Sequence, residues 1–274
     1  MKWADDADAA IRKVPFFVRK RVRKRVEAHV ADKGRNTVTL DDVHEVKQGY
    51  LENMEQEVRG YRVETCFGPQ GCPNRAGPDT DLASRIETLM ENKDLFRFLK
   101  QSVDGPLKLH HEFCVTLADC PNACSRPQIR DIGIIGAAVP EITDAACSMC
   151  GACAEACREG AVRLNESTQM PEIDRSKCLD CGQCADACPT ETIRVAGRGF
   201  KVLLGGKLGR HPRLAQRLPG CYDAGEILDI VNRCVDFYKQ YSTGGKRFAQ
   251  LCAESGDALM AALADLIGQN KKGC

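Results

Sequence analysis

Cys120-Pro-Asn-Ala-Cys124, followed by Ser125-Arg-Pro-Gln-Ile-Arg-Asp-Ile-Gly-Ile-Ile-Gly136, is the stretch around which the chain is organised. It reads as a turn presenting two thiolates. Pro121 and Asn122 favour the reversal, and cysteines four positions apart can hold two corners of an iron–sulfur cube. The other two corners are offered by Cys66-Phe-Gly-Pro-Gln-Gly-Cys72, where Pro and two Gly make a loop able to fold around inorganic sulfide. Cys66, Cys72, Cys120 and Cys124 are therefore read as one four-cysteine site.

Downstream, Cys147-x2-Cys150-x2-Cys153-x3-Cys157 and Cys178-x2-Cys181-x2-Cys184-x3-Cys188-Pro189 are two copies of the bacterial ferredoxin signature. In that signature the short helix after the third ligand points the fourth cysteine across a pseudo-twofold axis to the other cluster. One cube is thus assigned to Cys147, Cys150, Cys153 and Cys188, the other to Cys178, Cys181, Cys184 and Cys157. Arg158 stands where a proline usually follows the fourth cysteine. Residues 145–197 are poor in apolar side chains, so the cubes themselves are expected to serve as core.

Around these sites the pattern is α/β. Tyr61–Thr65 alternates as a short strand delivering Cys66, and Phe113–Leu117 does the same for Cys120. A helical run covers 81–102, and further strands are expected at Ile132–Val139 and Phe200–Leu204. Clusters at strand ends match the usual ligand position of open α/β sheets. The ferredoxin-type segment is then an insertion into this layer, and helical periods close the chain over Ile227–Tyr241 and Phe248–Leu266. Cys221, Cys234, Cys252 and Cys274 lack ligand spacing and are read as core or surface thiols.

Residues 1–58 contain no cysteine and read as helical. Val14, Val18, Val22, Val26 and Val30 recur every four positions, with Arg19, Lys20, Arg21, Arg23, Lys24 and Arg25 between them, which predicts an amphipathic helix with a basic outside. Pro15 suits its first turn. Thr39-Leu-Asp-Asp42 predicts a capped second helix.

Seventeen cysteines, without a signal peptide or an apolar run of eighteen, argue for reduced thiols holding metal in an anaerobic cytoplasm rather than for secreted disulfides. The same absence of an apolar run argues against membrane insertion. A net charge of +1 gives no general case for nucleic acid as a partner.

At the residues quoted, "CPNACSRP" with "DIGIIG" and the later "GFKVLLGGKLGRHPRLA" (199–215), the chain resembles the siroheme sulfite and nitrite reductase family. "AIRKVPFFVRKRVRKRVE" with "TLDDV" is similar to the helical end of the protochlorophyllide reductase B subunit. The resemblance implies a sulfite reductase-like α/β (α+β) domain at 59–144 and 198–274. An inserted 2[4Fe-4S] ferredoxin domain then takes 145–197, and an N-terminal helical domain 1–58.

It further implies three [4Fe-4S] clusters plus siroheme, Cys124 bridging one cube to the siroheme iron, and a small anion such as sulfite or nitrite as substrate. Siroheme carries many carboxylates, for which Arg126, Arg130, Lys201, Lys207, Arg210, His211 and Arg213 are the cationic supply. Many family members carry Lys-Phe-Lys on the strand before the second cysteine pair, where this chain has Glu112-Phe113-Cys114. A carboxylate there would repel an oxyanion. The anion pocket would be completed by Lys108, His110, His111, Arg62 or a second subunit, with His111 delivering protons. The expected partners are a low-potential electron donor protein and the other members of an oligomer or redox complex. The alternative is a non-catalytic electron-transfer subunit, with or without siroheme.

Overall fold

The computed structural model describes residues 1–14 and 16–269. Pro15 and Cys274 lie outside the described residues. The chain forms two compact units, Met1–Arg59 with Val103–Glu112, and Gly60–Ser102 with Phe113–Cys274.

The first unit contains β1 (Lys2–Trp3), α1 (Asp5–Arg12), α2 (Phe16–Asp32), β2 (Thr37–Val38) and α3 (Leu40–Gln56). α1 begins with Asp5, Asp6 and Asp8 and ends with Arg12, the charge order that complements a helix dipole. It buries Ala7 and Ile11 against Val26 and Val30 of α2, two of the valines at the predicted four-residue spacing. The basic face of α2 makes specific contacts. Arg23 pairs with Asp8 at 2.7 Å and lies over the Trp3 ring at 4.2 Å. α3 starts at the expected cap, with the Asp42 N–H on the Thr39 hydroxyl and the Thr39 N–H on the Asp42 carboxylate. α1 and the parallel β1–β2 pair have no counterpart in the sequence reading. Residues 103–112, expected within the 59–144 segment, belong to this unit, where Glu55 accepts the Leu107 N–H at 3.0 Å.

The second unit is built on a five-stranded sheet of mixed direction. Its chain order is β3 (Tyr61–Thr65), α4 (Leu82–Glu91), α5 (Leu95–Ser102), β4 (Phe113–Ala118) and β5 (Ile132–Ile142). Then come α6 (Ala152–Ala156), β6 (Val162–Asn165), β7 (Met170–Ile173), α7 (Gln183–Asp186), β8 (Ile193–Leu204) and β9 (Gln216–Arg217). α8 (Ala224–Tyr241), α9 (Phe248–Glu254), α10 (Gly256–Ala262) and α11 (Ala264–Gln269) complete it.

The sheet order is β3-β4-β5-β8-β9, with β3, β4 and β5 parallel and β8 and β9 antiparallel to their neighbours. Tyr61 pairs with Phe113 and Thr65 with Leu117, so β3 and β4 end together. β5 and β8 are longer than predicted and remain paired to Ile142 and Ile193, with a register shift at Val139/Pro140. The ferredoxin-type segment runs between the far ends of these two strands.

One side of the sheet packs on Phe113, Tyr238 and Phe248, whose ring centroids lie 5.2 to 6.4 Å apart. α8 turns Ile227, Ile230, Val231, Cys234, Val235 and Tyr238 into this core at helical spacing. Two predicted single helices are divided. The run 81–102 breaks before Asp94, whose φ is 47°, and the closing run breaks at Ser255 and Leu263. Among the described residues no helix is long and apolar enough to cross a membrane.

Candidate metal centre

Parallel strands that end together place two cysteine-bearing loops side by side. The Cys66 N–H donates to the Leu117 carbonyl at 3.1 Å, which fixes Cys66 at the end of β4. Its Sγ accepts the N–H groups of Gly68 at 3.3 Å and Asp119 at 3.2 Å. Residue 68 has to be glycine, because a Cβ there would stand 2.1 Å from Asp119 Oδ2. In the second loop Ala123 adopts a φ of 54°, and Asn122 Nδ2 donates to Cys124 Sγ at 3.0 Å. Burial pushes the Cys120 thiol up, and the charges of Cys66, Cys72 and Cys124 push it further. The four sulfurs expected to act together are thus electrostatic neighbours, with Cys124 the exposed one.

The two ferredoxin-type runs repeat one local fold. Gly151 (φ 81°) and Gly182 (φ 79°) lead into α6 and α7, which carry Cys153 and Cys184 inward. Burial raises the Cys153 thiol, and Cys188 and Cys147 add to the shift. Cys184 is pushed up to about 12 by burial, with Cys178, Cys181 and Cys157 adding. The fourth cysteine of each run therefore sits with the first three of the other. Backbone N–H groups again point at sulfur: Met149 to Cys147 at 3.3 Å, Ala161 to Cys157 at 3.2 Å, Ile193 to Cys188 at 3.4 Å.

The quartet of Cys157, Cys178, Cys181 and Cys184 is the inner one. It lines a cavity of about 240 Å³ whose other walls include Cys120, Asn122 and Asn74. It also packs on β5, since the Ala138 N–H donates to the Asp180 carbonyl at 2.8 Å and a Cβ on Gly182 would meet Ala138 Cβ at 2.8 Å. The quartet of Cys147, Cys150, Cys153 and Cys188 is the outer one.

Each quartet offers sulfur alone, and all twelve thiols are free. Thiolates that receive backbone N–H groups are the donor set that suits an iron–sulfur cluster, since these hydrogen bonds offset the negative charge of ligands and core. The raised thiols have to shed protons when they take up metal.

The seven cations expected to serve siroheme divide into two groups. Three are committed internally. Lys201 is buried, donates to the Leu179 carbonyl at 2.9 Å and pairs with Asp180 at 2.5 Å; Arg130 pairs with Glu64 at 2.5 Å; Arg213 donates to the Ala249 carbonyl at 3.1 Å. The Lys201 ammonium thus lies on the loop between Cys178 and Cys181. The other four are Arg126, on the Cys124 turn, and Lys207, Arg210 and His211 on a hairpin closed by reciprocal 2.9 Å bonds between Lys207 and Arg213. The arms of that hairpin are held to the carbonyls of Arg130 and Gln128 by Gly206 and Ala215, next to the Cys124 turn.

The residues expected to complete an anion pocket are distributed differently. Lys108, His110 and His111 belong to the first unit and Cys124 to the second. The Lys108 N–H donates to His111 Nδ1 at 3.1 Å. Arg62 lies 3.5 Å from Glu64. Glu112 is buried and accepts the Arg59 N–H at 3.0 Å. Cys114 is buried in β4, and burial, aided by Asp131, pushes its thiol up to about 12. Of the spare cysteines, Cys234 and Cys252 are buried thiols, whereas Cys221 is disulfide-bonded and so departs from the thiol expected of it.

Sequence reasoning missed two carboxylates. Asp119, only 4% exposed, lies beside Cys66 with Arg75 Nε 3.1 Å away. Asp131 is buried with its Oδ2 on the Cys114 N–H and 3.7 Å from Arg247. The signal for Asp119 was its place at the end of an apolar strand and directly before Cys120.

Residues 60–261 match the family described as the nitrite and sulphite reductase 4Fe-4S domain. The chain belongs to that family. Residues 3–47 match the proto-chlorophyllide reductase 57 kD subunit family. Among curated relatives, the coenzyme F420-dependent sulfite reductase of Methanocaldococcus jannaschii is 32% identical over 182 residues, 66% of this chain and 27% of that protein. The C subunit of the anaerobic sulfite reductase of Salmonella typhimurium is 30% identical over 120 residues, 44% of this chain and 29% of that protein. The B subunit of the light-independent protochlorophyllide reductase of Chlorobium limicola is 46% identical over 48 residues, 18% of this chain and 9% of that protein. The aligned part of this chain thus spans under a third of the length of each of these relatives.

Proposed function

We propose that the chain is a sulfite reductase-like oxidoreductase component that holds three [4Fe-4S] clusters and siroheme and serves the reduction of sulfite, nitrite or a related small anion. The observation that carries this reading is the cavity shared by the inner thiol quartet and the Cys120 turn. Through it the ferredoxin-type segment adjoins the four-cysteine site at the strand ends.

In this reading Cys66, Cys72, Cys120 and Cys124 hold one cluster and the inner and outer quartets hold the other two. Cys124, the exposed sulfur of its set, would be the residue that holds siroheme beside the cluster. Arg126, Lys207, Arg210 and His211 pair with the carboxylates of the macrocycle. Bound clusters supply single electrons, and siroheme supplies the centre at which a small anion is reduced. The chain's own part is to fix Cys66 Sγ through the N–H groups of Gly68 and Asp119 and to hold the inner quartet against β5. A low-potential donor protein docks at the outer quartet, where Cys150 is exposed.

The domain division proposed is 1–58 for the helical part, 59–144 with 198–274 for the reductase-like part, and 145–197 for the ferredoxin part, all in the cytoplasm. The Salmonella relative's description as a subunit supports placement in a redox complex. His111 is kept as the proposed proton donor and Lys108 as a proposed residue of the anion pocket.

The test is electronic absorption of the full chain, purified anaerobically from a siroheme-making host, followed by sulfite-dependent oxidation of a reduced viologen dye. The expected result is Soret and charge-transfer bands with slow turnover. Turnover is slow because Cys114 supplies a neutral group where many family members carry lysine. A second reading, an electron-transfer subunit without reductase activity, is favoured by the internal commitment of Arg130, Lys201 and Arg213. Absence of the bands would select it.

A further inference from the structure

The two cysteine runs share a fold and differ in charge at one matched place. Met149, in Cys147-Ser-Met-Cys150, and Asp180, in Cys178-Leu-Asp-Cys181, both take a left-handed backbone, with φ of 55° and 59°. The outer run puts a thioether side chain there, and the inner run puts a carboxylate. Asp180 Oδ1 lies 3.5 Å from Cys178 Sγ. A carboxylate this close to a thiolate ligand opposes the arrival of an electron on the cluster, because cluster potential follows the local net charge.

Lys201 answers that charge. It comes from the middle of β8, opposite Ile135 of β5, and its side chain is 9% exposed. Its ammonium is 2.5 Å from Asp180 Oδ2 and donates to the Leu179 carbonyl at 2.9 Å. Arg175 is the other cation facing Asp180, at 4.0 Å, but it is 52% exposed and also serves the Pro140 carbonyl. Water screens it more than Lys201. The loop does not need the pair simply to stay in place, since the Ala138 N–H already fastens the Asp180 carbonyl at 2.8 Å. The outer run has the uncharged Met149 at this place, so Lys201 brings the inner run, with its carboxylate, to the same local net charge.

We propose that the Lys201–Asp180 pair sets the reduction potential of the inner cluster, making it a better electron acceptor than the same cluster beside an unpaired carboxylate. This rests on the reading that Cys157, Cys178, Cys181 and Cys184 hold a [4Fe-4S] cluster. Lys201 acts through Asp180 and is a positioning residue for charge.

The experiment is a potentiometric titration of the anaerobic full chain, followed by electron paramagnetic resonance of the reduced clusters, with iron and sulfide measured on every sample. Cys184→Ala assigns the inner signal. Lys201→Met makes the inner cluster about tenfold harder to reduce at a given potential, a shift of about 59 mV to more negative values for one electron. Asp180→Asn, which keeps the side-chain shape, shifts it the opposite way. The double variant restores the native net charge and returns the potential toward the native value.

An unchanged potential in Asp180→Asn, or a double variant displaced from the native potential as far as Lys201→Met, with iron intact, overturns the proposal. If Lys201→Met fails to retain iron, Asp180→Asn and the double variant decide the question in the same way. A Cys184→Ala protein that loses neither iron nor a signal overturns the cluster reading itself, which separates the two failures.

Discussion

Gln183 Nε2 donates to Asn74 Oδ1 across 3.1 Å, joining the helix that carries Cys184 to the loop that leaves Cys72. Both residues line the cavity between the inner quartet and the Cys120 turn. This bond is a tie between two sulfur sites that chain connectivity alone would leave free to separate. Gln183→Ala is expected to keep native iron content and to lose about 0.5–1.5 kcal/mol of stability. It should also slow reduction of the cluster at Cys66, Cys72, Cys120 and Cys124 by an external donor. Rapid-mixing absorption against denaturant titration checks this, and an unaltered rate would remove the tie from the electron path.

Gly68→Ala tests how closely the first quartet is built. A methyl group would stand 2.1 Å from the Asp119 carboxylate and push apart the two N–H groups that hold Cys66 Sγ. The variant should lose about four irons while keeping those of the ferredoxin-type segment. Iron analysis with proteolysis of the 145–197 region distinguishes this local loss from general unfolding.

Phe113→Ala addresses the core behind that site. The ring contacts Tyr238 and Phe248 and carries the strand that leads to Cys120. Truncation is expected to cost about 3–5 kcal/mol. Thermal unfolding followed by circular dichroism measures it, and a loss under about 1 kcal/mol would mean that the aromatic cluster is not the support described.

The helical first unit makes a pH prediction. Burial works against ionisation of Asp42, but the Thr39 N–H and hydroxyl and the Arg35 guanidinium outweigh it and hold the carboxyl at about 2. A depressed acid contributes stability above its unfolded pKa, near 4, and loses it as pH falls through its folded value. Unfolding of the α1–α3 unit should therefore advance between roughly pH 4 and pH 2. Asp42→Ala should weaken the unit at neutral pH and flatten that dependence. Hydrogen exchange of α3 amides across this range reads it directly.

Sequence alone reached the parts of this protein that depend on local spacing. Tyr61–Thr65 and the Thr39 cap both follow from neighbours within a few positions. The commitments made across the fold could not be read this way. Lys201 looked like one of a run of basic residues, and only the pairing of β8 with β5, with the Asp180 loop laid on Ala138, shows where its ammonium goes. Glu112 likewise accepts the Arg59 N–H, a contact that only the fold shows. The division of the closing helix at Leu263 had no glycine or proline at the break to announce it.

The central claim is that three separate thiol quartets each hold a [4Fe-4S] cluster, and iron counting tests it most directly. Iron and acid-labile sulfide in the anaerobically purified and reconstituted full chain should each approach about twelve per chain, siroheme iron aside, and Cys72→Ala should remove about four of each. A reproducible count near eight in the unsubstituted chain, unchanged by Cys72→Ala, would contradict the account.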